Sequence, residues 1–507
     1  MKYRQAVWTE PLLKELSRKG RKAYSLPSLE QSIRDSIDDV YANIPKSMIR
    51  DSPPALPELS EPEVVRHFVR LSQMNYAIDL GIYPLGSCTM KYNPKVSQRI
   101  ARNTKIANVH PYQHESTVQG ILQILYELSE MLCEIAGMER FSLAPAAGAQ
   151  GEYVGALMIK NYLQDSGFEH KDEMLVPDSA HGTNPSSAAM AGFKVVKIPS
   201  SEQGIVTADA VKAKITEKTA GMMLTVPSTL GIFEKEIVEV TKIIHENNGL
   251  MYYDGANMNA MLGKVRPGDM GFDVVHINVH KTFATPHGGG GPGAGPVGVK
   301  SKLKNYLPKP IISQKQGTYT LDFDVPKSIG FIKSFYGNCA VLLRAYCYIL
   351  SLGREGLKSV SEQAVLASNY LLSLLDKNSY TVPFSSTSPR KHEFVVSASP
   401  LKKKFGVSAG DVAKAILDSG MHSPTTYFPL IVSEALMIEP TETEPLENLE
   451  AYAKVLNEIA ALSAIEKDRI LASPKNTTIG KLDEYRASHP GTMILNWNHV
   501  RDSENRS

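Results

Sequence analysis

The sequence predicts an α/β fold with a mostly parallel sheet, followed by a smaller α+β domain, and three observations carry that reading. Between about 140 and 300, the short apolar runs EMLVP, KVVKIP, MMLTV, LMYYD, VVHINV and GPVGVK alternate with helical patterns, the mark of strands joined by crossover helices. From about 325 to 375 the pattern is that of long helices, and then HEFVVSA reads as a strand and AGDVAKAILDSG as a helix. The length of 507 residues leaves room for two or three domains.

Taken in order, residues 1–115 are rich in Pro and charge and weakly periodic, which predicts an N-terminal arm with short helices rather than an independent core. Val118, Ile121, Leu122, Leu125, Leu128, Leu132 and Ile135 then recur at steps of three and four, marking one helix, with Gly137 placed to end it. This helix opens a large domain over 116–325. Within it, EVTKIIHENNG carries an apolar stripe through Val240, Ile243 and Ile244, and Gly249 is placed to end that helix before a strand at Leu250. A small C-terminal domain follows over 326–475, closed by the stripe of LENLEAYAKVLNEIAALSAI, and 476–507 is a polar, mostly unpatterned tail.

Composition excludes several classes. Apolar residues make up 42% and charged residues 21%, ordinary globular usage rather than that of a disordered, collagenous or coiled-coil chain. Lys and Arg number 55 against 53 Asp and Glu, so no global field draws the chain to nucleic acid or to an acidic membrane. No apolar run approaches the ~20 residues that cross a bilayer. The first segment, MKYRQAVWTEPLLKELSRKGRKAYSLP, is interrupted by acidic residues and Pro and does not read as a secretory signal. Cys88, Cys133, Cys339 and Cys347 lack paired spacing, which fits a reducing compartment, and the expected location is cytoplasmic.

Functional side chains in such sheets gather at the carboxyl ends of strands. Asp254 closes the run LMYYD and is followed by Gly255 and Ala256; standing alone, it is equally a turn or cap aspartate. The next run, VVHINV, leads into His280, Lys281 and Thr282, so a lysine follows the aspartate by 27 residues at the end of a neighbouring strand. That pair points to pyridoxal 5'-phosphate. The cofactor aldehyde takes an amine, Lys281, as a Schiff base, and its pyridine nitrogen needs an anion, Asp254, to stay protonated and act as an electron sink. PAAGAQGE, residues 145–152, is a Gly/Ala-rich turn entering a helical pattern. Backbone amides at Gly148, Ala149 and Gln150 are suited there to a phosphate, and a tight turn chosen for packing is the alternative. His181, in PDSAHGTNP, either stacks its ring on the cofactor or is a satisfied loop histidine. Asn257, just beyond Asp254, and Thr282, beside Lys281, complete the candidate cofactor-binding set.

Two patterns are set aside. Gly288, Gly290 and Gly293 fit G-x-G-x-x-G, but this glycine run makes the match nearly automatic, and PVGV after it reads as a strand instead of the required helix. His276, His280, His287 and Asp273 are metal-ligand types, yet a step of four along a strand separates His276 from His280, and no metal is expected.

Eight motifs in order, ELSRKGRKAYSLP, YPLGSCTMKYNP, PAAGAQGE, SAHGTNPSSA, YYDGANMNAMLG, NVHKTFATPHGGGGPG, SIGFIKSFYGN and YFPLIVSEALMIEPTETE, closely resemble the pyridoxal-phosphate subunit of glycine dehydrogenase (decarboxylating), the P-protein of the glycine cleavage system in its two-chain form. The likeness spans almost the whole chain. It implies the fold type I architecture of pyridoxal-phosphate enzymes, with Lys281 as the Schiff-base lysine and Asp254 as the pyridinium partner. It also implies decarboxylation of glycine with release of CO2 and transfer of the aminomethyl group to the lipoyl arm of H-protein. His280 and His181 are then stacking or proton-transfer groups. A separate subunit 1 in a two-by-two heterotetramer is implied as well, with the N-terminal arm and the Pro-rich stretch near Asp51 to Pro57 as natural contacts.

The chain departs from the pattern of this subunit at Gln150, where His is expected, and at Val226 and Ser228, where Asn is expected. Another fold type I amino-acid decarboxylase would use Lys281 and Asp254 equally well. A catalytically silent partner subunit would need neither, and a metal-dependent hydrolase is the third reading.

Overall fold

The computed structural model describes residues 5–493 apart from 38, 40, 53, 55, 289–292 and 385–387, so Gly290 of the set-aside glycine pattern and two residues of the Asp51 to Pro57 stretch lie outside the described residues. The chain forms two compact units. One spans Ile78–Ser473; the other draws on the described residues of Lys2–Ala77 and Pro474–Ser507.

The larger unit is built on seven strands: β1 (Arg140–Ser142), β2 (Glu173–Pro177), β3 (Lys194–Ile198), β4 (Thr219–Thr225), β5 (Leu250–Gly255), β6 (Val274–Ile277) and β7 (Val297–Val299). Their order is β1-β7-β6-β5-β4-β2-β3. Only β7 runs against its neighbours, β1 and β6. Every residue of β5 and β6 is buried, as expected where helices cover both faces of a parallel sheet. Along β5, Met251 and Tyr253 enter one apolar cluster while Leu250 and Tyr252 enter another, the period-two alternation of a strand shared between two cores.

Helix α1 (Gln119–Ala136) buries Leu122, Leu125, Leu128 and Leu132 and ends at Gly137 in the left-handed conformation, φ 68°. Helices α2 (Gly148–Asp165) and α3 (Thr183–Met190) follow β1 and β2. At the end of α4 (Ile237–Glu246) the residue with positive φ is Asn248, at 55°, and not Gly249. Gly249 answers a different demand: a Cβ there would lie 2.9 Å from Ile244 Cγ2. The long helical pattern begins later than expected. A hairpin of β8 (Ile311–Lys315) and β9 (Thr318–Asp322) turns on Gln316 and Gly317, both at positive φ, and only then does α5 (Cys339–Ser373) run, broken at Gly353.

The small antiparallel sheet has the order β10 (Phe394–Ser397), β12 (Ala435–Ile438), β11 (Thr425–Thr426). A stretch from far upstream lies along it: Leu85 bridges Ile438, and Gly86 N–H donates to Met437 O at 3.2 Å. Only glycine fits at 86, since a Cβ would fall 2.3 Å from Met437 Cγ. In the smaller unit, a helix over Glu61–Met74 is capped reciprocally by Ser60 and Glu63, and its buried His67 meets Glu10 at 2.9 Å. Among the described residues no helix is long and apolar enough to cross a membrane.

Candidate active site

A cavity of about 460 Å3 opens in the larger unit where β4, β5 and β6 end and α2 begins. The register places Thr225 beside Asp254 and Asp254 beside His276, one residue from each of three adjacent strands. Asp254 is buried; its Oδ2 accepts Asn184 Nδ2 at 2.8 Å and Thr225 Oγ1 at 3.2 Å, and its Oδ1 accepts the Ala256 N–H at 3.0 Å. Burial alone would raise this carboxyl, but His276, the Asn184 amide, the Ala256 N–H and the Lys281 charge outweigh it and hold Asp254 below the usual carboxylate range. Glu152, on α2, shares the same Asn184 amide at 3.0 Å and is pushed well up by burial and by the Asp254 charge. Of the two carboxyls, Asp254 is therefore the one that holds negative charge more readily. Behind it, burial lowers His276 to about 4, and its Nδ1 pairs with Tyr252 OH at 2.7 Å.

Lys281 lies not on a strand but in a single helical turn, Val279–Thr282, just after β6. It lines the cavity, and its Nζ donates to Ser87 O at 2.7 Å. His181, His280, Asn257, Gly148, Ala149 and Asp254 share the cavity wall with it. His181 Nδ1 accepts the Thr183 N–H at 3.2 Å, and its ring meets Phe428 edge-on at 5.5 Å. Burial, His287 and Lys281 lower His280 to about 3, so it is a neutral imidazole at ordinary pH. Gly148 opens α2 against Asn278: a Cβ would lie 2.1 Å from Asn278 Oδ1, a buried oxygen without a hydrogen-bond partner among the described residues.

Two predicted residues are not in the wall. The Gln150 side chain braces the turn, accepting the Ala146 N–H at 2.6 Å and donating to Ile332 O at 2.9 Å. Thr282 Oγ1 accepts the Met258 N–H at 3.0 Å. At the other departures from the family pattern, Val226 O accepts from Tyr253 OH, and the buried Ser228 Oγ has no hydrogen-bond partner among the described residues. Of the residues weighed as metal ligands, Asp273 is taken up by His245 at 2.8 Å and Lys302 at 2.8 Å. His280 meets His287 edge-on at 4.7 Å.

The cavity has a second wall, of which His392, Glu393 and Glu439 were not singled out from the sequence. Ser87, His287, His392 and Glu393 line the cavity, and Glu439 stands behind, accepting Thr89 Oγ1 at 2.7 Å and Asn257 Nδ2 at 2.8 Å. Glu439 follows the apolar run ALMI of β12, so the strand-end rule that finds Asp254 also finds it. The motif YPLGSCTMKYNP, whose Cys88 and Thr89 suggested either a border of the site or an ordered turn, holds Ser87, whereas Glu393 carries no such signal because its place depends on contacts hundreds of residues apart. Cys88 Sγ lies 3.9 Å from His287 Nδ1.

The glycine cleavage system P-protein family profile matches residues 25–320, and the glycine dehydrogenase C-terminal domain profile matches residues 360–477. Probable glycine dehydrogenase (decarboxylating) subunit 2 of Pyrococcus furiosus is 56% identical over 503 residues, 99% of this chain and 98% of the relative. The protein of the same description from Caldanaerobacter subterraneus subsp. tengcongensis is 52% identical over 487 residues, 96% of this chain and 98% of its own. Among solved structures, the glycine decarboxylase (P-protein) of the glycine cleavage system in inhibitor-bound form aligns with TM-score 0.72 at 22% identity, over 86% of this chain and 99% of that one. A Thermococcus onnurineus cysteine desulfurase aligns with TM-score 0.57 at 15% identity, over 73% and 92%. These likenesses show the fold type I architecture. With relatives more than half identical from end to end, the chain belongs to the P-protein family of the glycine cleavage system, on its glycine dehydrogenase (decarboxylating) subunit 2 branch.

Proposed function

We propose that this chain holds pyridoxal 5'-phosphate covalently at Lys281 and decarboxylates glycine, releasing CO2 and passing the aminomethyl group to the lipoyl arm of H-protein. The observation that carries the reading is the meeting of Lys281 and an ionised, buried Asp254 at one cavity. The residues fit the cofactor. Asp254, whose carboxyl is held below the usual range, offers its charge to a ring nitrogen, and Gly148 leaves space beside the Asn278 oxygen, unpartnered among the described residues. The first backbone amides of α2, at Gly148 and Ala149, suit a phosphate. Gln150 and Thr282 then serve the turn and the wall behind it.

When bound, pyridoxal phosphate supplies the electron sink for the pair left on carbon as CO2 departs. Asp254 would hold the ring nitrogen protonated and His181 would lie beside the ring, while neutral His280, whose Nδ1 accepts the Ala294 N–H at 3.4 Å, carries its hydrogen on Nε2 and would be able to give it there and take it back. We assign the chain to a two-by-two heterotetramer with glycine dehydrogenase subunit 1 in the cytoplasm, the relatives' designation as subunit 2 supporting the partner.

The test is glycine-dependent exchange of labelled bicarbonate by the chain co-purified with subunit 1, with and without lipoylated H-protein. Exchange that requires both H-protein and Lys281, judged against Lys281→Ala, is the expected result. A bound cofactor without exchange would assign the site to another amino-acid decarboxylase.

A further inference from the structure

The reading above leaves three buried titratable groups of the second wall unused. His392, Glu393 and Glu439 each bring one polar atom within 4.8 Å of the others. Glu393 Oε2 accepts the Ser87 N–H at 2.9 Å, and the carbonyl of that same residue accepts Lys281 Nζ at 2.7 Å, so one peptide unit on either side of Ser87 Cα ties the acid to the amine. Glu439 is filled by donors, taking Thr89 Oγ1 at 2.7 Å on Oε2 and the amides of Asn257 and Asn259 at 2.8 and 3.2 Å on Oε1. Glu393 Oε1 instead points toward His392 Nε2 at 3.6 Å. Although the His392 ring is buried and lines the cavity, neither of its nitrogens has a hydrogen-bond partner among the described residues.

Two carboxyl groups this close and this buried do not both ionise. The charged group that faces both carboxyls is Lys281, the Cys88 thiol feels the Glu439 charge, and Lys91, which faces His392, is already held by Glu442 at 2.6 Å. Burial raises Glu439 to about 7, and burial with the Glu439 charge drives Glu393 well above the ordinary range. Glu439, with three donors, is the better anion, so the resting proton sits on Glu393. Burial, with Lys281 and Lys91, lowers His392 to about 3, leaving a neutral ring.

We propose that Glu393, backed by Glu439, is the acid–base residue of this cavity: it gives its proton to Lys281 Nζ as the substrate's amino group displaces that amine, and it recovers the proton that the substrate nitrogen sheds. The inference rests on the amine-substrate reading above. The double bond formed joins the cofactor carbon to the substrate nitrogen, and the double bond broken joins that carbon to Nζ. Nζ takes up two protons and the substrate nitrogen gives up two, with Glu393 passing them in turn and ending with its O–H restored. No oxidant or reductant enters. His392, with an unclaimed nitrogen at the wall, is placed to hold the incoming substrate beside the dyad.

The first test is infrared spectroscopy of the full chain with subunit 1, before and after cofactor loading. Buried carboxyls such as Glu152 and Glu234 contribute to the protonated-carboxyl C=O absorption as well, so the expected result is a component of that band at neutral pH that shifts in D2O, persists in Lys281→Ala and shows as a loss in the Glu393→Gln minus wild-type difference. Its absence overturns the shared proton, whether or not the wild type acts on glycine. A wild type that shows the band but has no action on glycine overturns the amine reading and leaves the shared proton standing. The second test is kcat/KM for glycine against pH. Glu393→Gln should lower it by about 100-fold or more with cofactor content unchanged, and Glu393→Asp should fall between. Glu439→Gln removes the like charge, so the limb on which activity falls at high pH should move to lower pH. A loss of rate with that limb unmoved would reduce Glu439 to a structural part and overturn the dyad.

Discussion

The carbonyl oxygen of Ser87 accepts Lys281 Nζ at 2.7 Å across 194 residues of chain. Ser87 holds φ at 61°, in the left-handed region, so that its carbonyl faces the lysine while its N–H faces Glu393. A β-branched residue there should cost about 1–2 kcal/mol, the penalty of that conformation for a side chain with a crowded Cβ. Ser87→Val is therefore expected to lower the urea midpoint and the amount of cofactor retained, whereas Ser87→Gly should leave the midpoint near wild type. Equal midpoints for the two variants would show that the backbone at this position carries no strain.

Gly148→Ala should weaken cofactor binding with little loss of fold. The added methyl carbon would lie 2.1 Å from Asn278 Oδ1 and 2.6 Å from its Nδ2, so the amide must turn out of its place in the cavity wall. Overpacking of this kind costs about 1–3 kcal/mol. Gly182→Ala is the control, since nothing lies within 4 Å of a Cβ there. Equilibrium titration of each chain with pyridoxal phosphate separates them: the first should bind more weakly and the second like wild type.

The strand-end logic made half of this site legible. Asp254 and Lys281 stand where neighbouring apolar runs stop in a parallel sheet, and it is the pairing of an acid with an amine at those two ends that marks the site. At Gln150 the expectation concerned the backbone amide; the direction of its side chain was not legible, and here the Ala146 N–H and Ile332 O claim it. The β8–β9 hairpin escaped because Gln316 precedes Gly317 where Asn or Asp is the usual signal. The acid wall was illegible for a deeper reason. Glu393 stands at the start of an apolar run, where a solvated charge is common, and only the return of Leu85–Ser87 along β12 buries it.

Stability should fall as pH rises through the range in which Glu234 differs between states. This buried carboxyl accepts the Val206 N–H at 2.8 Å, and burial raises it from 4.5 to about 8. The folded chain thus binds a proton that the unfolded chain has lost, so the linkage favours folding fully below about pH 4.5 and is lost progressively up to about pH 8. Glu234→Gln keeps an acceptor for Val206 and cannot ionise. Its Tm should change less than the wild-type Tm between about pH 5 and pH 8, a difference on the order of 1 kcal/mol or more. Parallel curves would place the proton elsewhere.

Lys91→Met should be among the most damaging substitutions outside the cavity. The Lys91 side chain is fully buried, and its Nζ donates to Asn259 Oδ1 at 2.8 Å, Thr282 O at 3.0 Å and Glu442 Oε1 at 2.6 Å. It thereby joins the upstream stretch, the chain beyond β5, the Lys281 turn and the chain beyond β12 at one point. Removing the cation leaves the Glu442 carboxylate, 8% exposed, without its ion pair, and breaking one side of such a pair costs about 3–5 kcal/mol. Met fills most of the volume, so the loss is electrostatic and not a cavity effect. Glu442→Gln in the same chain should return part of it, because the amide needs no counter-charge. A double-mutant cycle on urea unfolding measures this directly: a coupling of about 1 kcal/mol or more is expected, and additive losses would show that the two side chains act independently.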